Sequence, residues 1–193
     1  VGCGRLADWR GESTVLAFKK HMFEMISLEN HWLSATPDIP ASTFGGDQSN
    51  CPRIFTAVCL KHREASAPFI FLNTHLDHKG ATARLLGAVE IMQYLSGKGL
   101  HFVVTGDMNA LPGTAEIVAF TSFAPCGRPV VDATEKLGGT FHAFGQRAVP
   151  TKIDYIFTDM PCDPDESFIV PNEPIDGIYI TDHCPVCSYV TAE

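Results

Sequence analysis

Four short polar clusters carry the side chains that could do chemistry: Asn73-Thr74-His75-Leu76, Gly106-Asp107-Met108-Asn109, Lys152-Ile153-Asp154-Tyr155 and Thr181-Asp182-His183. Between them they offer carboxylates (Asp107, Asp154, Asp182), imidazoles (His75, His183) and carboxamides (Asn73, Asn109). Gathered in one place, such a set suits a hard divalent cation bound through oxygen and a water activated for attack. Asp107 and Asn109 stand two apart, so in an extended loop both face the same side. There the carboxylate can take the proton of an attacking water, and the amide can donate to an oxygen on which charge builds. Gly-Asp-x-Asn is also ordinary turn chemistry, so the other clusters are what favour catalysis. The combined reading is a metal-dependent hydrolase.

Three of the clusters stand at the end of a segment that looks buried, and Lys152-Ile153-Asp154-Tyr155 follows a turn-rich stretch ending at Thr151. Residues 68–72, 101–105 and 178–180 are apolar runs bounded by turn residues, which predict strands. Leu85, Leu86, Val89, Met92 and Leu95 recur at three- and four-residue steps, with Gly97 and Gly99 beyond them. This predicts a helix over 82–95, and hence a strand–helix–strand crossover into 101–105. Residues 54–60 and 68–74 should form an antiparallel pair, and 13–19 with 22–28 a hairpin. A shorter helix is expected over 114–123, a strand over 153–158 and a last strand after His183. Residues 29–50, with Trp32 and Leu33 as anchors, read as a long ordered loop. The class is α/β.

The 193-residue chain is 45% apolar, enough for one sizeable core and one domain over 1–193. Its formal net charge of −8 opposes non-specific attraction to a polyanion. No twenty-residue apolar stretch and no signal-like start occur in it. The seven cysteines show no paired zinc-ribbon spacing, and Cys184-Pro185-Val186-Cys187 is a lone CxxC running into strand-like sequence. They read as small buried hydrophobes, which favours a reducing, cytoplasmic setting and leaves secretion open. The eight histidines are not spaced as HxxxH or HExxH, so zinc is not the expected metal. Oxygen donors point instead to Mg²⁺, with Mn²⁺ as the alternative.

The motifs NTHL, GDMN, KIDYIF and TDHCPV also resemble, in type and order, those of the endonuclease/exonuclease/phosphatase superfamily. Trp32-Leu33-Ser34, Thr36-Pro37-Asp38, Cys51-Pro52-Arg53, His75-Leu76-Asp77-His78 and Gly139-Thr140-Phe141-His142 resemble a deadenylase-related, largely bacterial branch of it. The resemblance implies a two-sheet sandwich flanked by helices, in four αββα layers. It implies a Mg²⁺-dependent phosphoesterase in which Asp107 and Asp182 serve the metal, Asp154 orients His183, and Glu12 pairs with His75. Asp77, His78 and Arg84 resemble residues on the substrate side, Arg84 either as a phosphate clamp or as a solvated helix charge, and His142 is either a substrate contact or part of the loop packing. Substrates in view are a phosphodiester, single-stranded nucleic acid included, a sphingomyelin-like headgroup, or a small phosphomonoester. A non-catalytic binding module is the other reading, and no protein partner is expected. Family members carry a strand with an Asn and a metal-binding Glu ahead of the point that matches Val1. The sequence is therefore expected to lack the first strands of the domain and that glutamate.

Overall fold

The run Ile-Phe-Thr-Ala-Val-Cys-Leu is buried at every position and opens the strand β2 (Ile54–His62). Around it, in this computed structural model of residues 1–192, lie β1 (Phe23–Trp32), β3 (Phe69–His75), β4 (His101–Asp107), β5 (Val131–Asp132) and β6 (Asp154–Thr158). They form a six-stranded sheet in the order β1-β2-β3-β4-β6-β5. The helix α1 (Ala81–Lys98) joins β3 to the parallel strand β4, since parallel neighbours need a crossover. A second helix, α2 (Ala115–Ser122), follows β4.

Strand periodicity assigns each residue a face. Phe55, Ala57, Cys59, Ile70, Leu72, Phe102, Val104, Tyr155 and Phe157 share one core with Ile91, Met92 and Leu95 of α1 and Ile117 and Phe120 of α2. Phe120 stacks on Phe157 at 4.5 Å between ring centroids. On the opposite face Val58 and Leu60 gather Leu16, Phe18, Phe23, Phe69 and Phe71 into a smaller cluster. The short strands β7 (Phe168–Ile169) and β8 (Val186–Cys187) form a separate two-stranded sheet, so the α/β class with two sheets stands.

Register places the chemistry. His75 lies opposite Asp107 across β3–β4, and Asp107 opposite Asp154 across β4–β6. Three adjacent strands thus bring an imidazole and two carboxylates into one row at one edge of the sheet. Gly106 is needed for this, because a Cβ there would lie 2.1 Å from the Thr74 carbonyl oxygen.

Some expected elements are replaced. Residues 13–19 form no strand; they run extended beside the chain start, where Leu16 and Val1 exchange backbone hydrogen bonds. Their expected partner becomes β1, which pairs along the whole of β2 and reaches Trp32, inside the stretch read as loop. A full ladder on a buried neighbour outweighs a local hairpin. Residues 178–180 are not a strand either: Ile175 and Ile178 close a tight turn around Asp176-Gly177, leaving Ile178 and Ile180 exposed. The last strand shortens to Val186–Cys187. All seven cysteines are free thiols, Cys184 and Cys187 half-buried among them. Among the described residues no helix is long and apolar enough to cross a membrane.

Candidate active site

Asp154, first residue of β6, accepts a hydrogen bond from His183 Nδ1 at 2.8 Å and another from Thr140 Oγ1 at 2.5 Å, both on Oδ2. The bond to Nδ1 fixes the tautomer and leaves Nε2 facing the cleft. The hydrogen bond with Asp154 is also the main reason the His183 pKa is raised. Phe141 packs against the ring at 4.9 Å, and the Thr140 carbonyl receives the Cys184 N–H, so the 139–142 loop holds the histidine from behind.

A second acid–imidazole pair stands across the cleft. His75 Nδ1 lies 2.7 Å from Glu12 Oε1, and Glu12 Oε2 takes a bond from Arg5. Burial works against the Glu12 carboxylate, but His75, Arg5 and Arg53 outweigh it and lower its pKa. Burial first, then the Arg53 charge, pushes the His75 pKa down to about 4. The two histidines therefore differ in character: His183 favours the imidazolium and His75 the neutral ring.

Both Nε2 atoms aim at the same oxygen. Asp107 Oδ2 lies 3.5 Å from His75 Nε2 and 3.8 Å from His183 Nε2, beyond good direct hydrogen-bond length. Burial, and then the neighbouring Asp154, raise the Asp107 pKa to about 6. Its other oxygen accepts the Asn109 N–H at 2.8 Å. Asn109 adopts φ +48°, a conformation asparagine tolerates, and anchors its amide by donating to the Leu76 carbonyl at 3.1 Å. Asp182 sits at the rim, with Oδ1 4.0 Å from His183 Nε2. A cleft of about 340 Å³ is lined by these groups together with Arg5, Cys51, Arg53, His78 and Phe141.

Asp107, Asp154 and His183 each offer a donor atom within 4.8 Å of one another, the one such group of three among the described residues. Two like-charged carboxylates on paired strands, one with a raised pKa, fit a cation that would relieve their repulsion. The donors are oxygens and one imidazole, a set that can hold a divalent cation.

Of the sequence-derived candidates, Glu12, His75, Asp107, Asn109, Asp182, His183 and His78 line this cleft, and Asp154 backs it. The other three lie elsewhere. Asp77 is buried, and its oxygens accept from Ser49 N, Ser49 Oγ, Lys79 N and Gly80 N; those bonds lower its pKa against burial, and it anchors the loop before β2 to the start of α1. Arg84 donates to Glu116 at 2.6 Å and to the Asp77 carbonyl. His142 is buried against Tyr179 and bonded to Gly145 N and Asn172 Nδ2, which makes it a loop clasp. Sequence reasoning gave Arg53 and Thr140 no individual role. The signal for Arg53 was a charge directly ahead of a largely apolar, strand-like run.

No family model and no curated protein sequence matches the chain. Solved structures do. An endonuclease/exonuclease/phosphatase family protein from Bacteroides thetaiotaomicron is 28% identical with a TM-score of 0.78, over 96% of this chain and 72% of that one. One from Bacteroides vulgatus is 25% identical with a TM-score of 0.82, over 100% and 76%. The Bacteroides thetaiotaomicron mannosyl-6-phosphatase is 26% identical with a TM-score of 0.79, over 99% and 76%. The chain has the fold of the endonuclease/exonuclease/phosphatase superfamily, as the order of its motifs implies.

Proposed function

We propose that this chain, a hydrolase acting on phosphate ester bonds, is a metal-assisted phosphatase of small phosphorylated molecules. The observation that carries the reading is the convergence of His75 Nε2 and His183 Nε2 on Asp107 Oδ2. His75 donates a hydrogen bond from Nδ1–H to the Glu12 carboxylate, so its neutral ring presents a lone pair at Nε2. That lone pair and the Asp107 carboxylate are both acceptors, and together they orient and deprotonate a water between them. His183, whose protonated form the Asp154 hydrogen bond favours, donates from Nε2 to a phosphoryl oxygen, and the Asn109 amide hydrogen not bonded to Leu76 supports the same charge. Asp107 and Asp154, whose donor atoms lie within 4.8 Å of each other, would hold Mg²⁺, with Asp182 at the rim beside His183; when bound, the ion supplies neutralisation of the phosphoryl charge.

A small substrate is favoured over a polymer on two grounds. The net charge of −8 gives no long-range pull on a polyanion. The mannosyl-6-phosphatase is also among the matches at 25% identity or above. The test is steady-state hydrolysis of para-nitrophenyl phosphate, bis-para-nitrophenyl phosphate, a sugar 6-phosphate and single-stranded DNA, each with Mg²⁺ and with EDTA. Metal-dependent turnover of the monoesters in excess of the others is expected. Preference for DNA or the diester would refute the substrate class, and full activity in EDTA would refute the metal.

A further inference from the structure

Arg53 stands at the entrance to β2, between Pro52 and Ile54, and is 4% exposed. Among the described residues only one of its three guanidinium nitrogens has a hydrogen-bond partner, and that partner is not a carboxylate. Nη2 lies 2.9 Å from His78 Nδ1. Nε and Nη1 have no hydrogen-bond partner among the described residues. Asp77 Oδ2 and Glu12 Oε2 are each 3.7 Å away, close enough to balance the charge and too far to bond. A purely structural buried arginine would be expected to form a fork with a carboxylate. Here the one directional bond goes to an imidazole.

That bond has a definite chemical consequence. A guanidinium can only donate, so His78 Nδ1 must accept, and the proton of the neutral ring must sit on Nε2. The backbone beside the ring is pinned as well, because Asp77 gathers the N–H groups of Ser49, Lys79 and Gly80. His78 itself is exposed and lines the cleft that Asp107, Asn109 and His183 also line. We infer that Arg53 is a positioning residue that fixes His78 as an Nε2–H donor for an acceptor oxygen of the substrate. The inference rests on the phosphatase reading for the identity of that substrate. The oxygen is either a non-bridging phosphoryl oxygen or a hydroxyl of the alcohol portion; a fixed donor serves both.

The experiment uses the whole chain labelled with ¹⁵N. Long-range ¹H–¹⁵N spectra should show a proton-bearing Nε2 and a bare, hydrogen-bonded Nδ1 for His78, and Arg53→Met should shift the Nδ1 resonance toward that of a free imidazole and let the Nδ1–H tautomer appear. A glutamine amide nitrogen falls near the place of Nε2 and an asparagine amide nitrogen near that of Nδ1. His78→Asn should therefore raise KM by about tenfold, the worth of one hydrogen bond, with kcat little changed. His78→Gln should recover most of the loss. Titration with inorganic phosphate separates the two sources: weakened phosphate binding in His78→Asn assigns the phosphoryl oxygen, and unchanged phosphate binding with raised KM assigns the alcohol. An Nδ1–H tautomer in the unmodified protein overturns the inference, as do KM and phosphate affinity both unmoved by His78→Asn. Absence of all turnover with the Nε2–H tautomer present would count against the hydrolase reading and not against the positioning by Arg53.

Discussion

Replacing Asp107 by Asn should stabilise the metal-free fold while removing its activity. The carboxyl is pushed from 3.8 to about 6, by burial and then by Asp154, and its side chain is only 16% exposed. At 1.36 kcal/mol per pH unit, keeping that carboxylate ionised costs the folded state about 3 kcal/mol. The sign follows from the direction of the shift. Because the folded pKa is above the unfolded one, the folded state binds the proton more tightly, and the associated stability is present below about 3.8 and lost as pH rises through about 6. Asparagine keeps an oxygen to accept the Asn109 N–H and carries no charge at any pH. Urea unfolding in EDTA should thus show Asp107→Asn about 1–3 kcal/mol more stable than the unmodified protein at pH 8, the lower figure allowing for lost attraction to His183. At pH 3.5 the difference should vanish. Glu90→Gln is the control: burial raises that carboxyl to about 7 at a site outside the cleft, so stability should rise with activity intact. A loss of stability at pH 8 for Asp107→Asn, or an equal gain at both pH values, would refute the reasoning.

The same geometry makes further predictions. Without saturating metal, kcat should rise through about pH 6 as Asp107 ionises and fall again above the ordinary histidine value of 6.5 as His183 loses its proton; added Mg²⁺ should move the acid limb downward. A pH–rate profile checks this. Thr140→Val should lower kcat by about tenfold, because Thr140 Oγ1 donates to the carboxylate that orients His183, and Thr140→Ser should restore it. Gly106→Ala should cost more than about 2 kcal/mol in denaturation, since its Cβ would meet a backbone oxygen. Asp77→Asn should destabilise by about 2 kcal/mol at pH 7 and by much less in acid, because the native bonds lower this carboxyl and their contribution is lost as pH falls.

The parts of the site that lie on strand ends were legible in the sequence, because an apolar run followed by a polar tetrapeptide is a local signal. Asp107 and Asn109 fall into this class; the helix expected over 82–95 forms as 81–98, though its buried face is Ala83, Gly87, Ala88, Ile91, Met92 and Leu95, with Leu86 exposed. Contacts made by long-range pairing were not. Whether residues 13–19 or β2 would pair with β1 depends on which ladder is longer and better buried, and neither segment states this alone. The run 178–180 is apolar enough for a strand, yet it follows Asp176-Gly177 directly and closes a turn instead. Asp77, Arg84 and His142 matched family positions by type, but the hydrogen bonds that place them run to Gly80, Glu116 and Asn172 within the fold, and no local pattern announces such partners. Arg53 gained its meaning only from burial and from the one partner it bonds.

The most direct test of two imidazoles serving one phosphoryl site is a titration of the protein with inorganic phosphate, following the ring resonances of His75 and His183 by NMR. Both rings should shift along a single saturation curve with one Kd, and Asp107→Asn should leave that Kd intact or tighten it, because a carboxylate that repels the anion has gone. Different Kd values for the two histidines, or a shift at only one of them, would contradict a shared site.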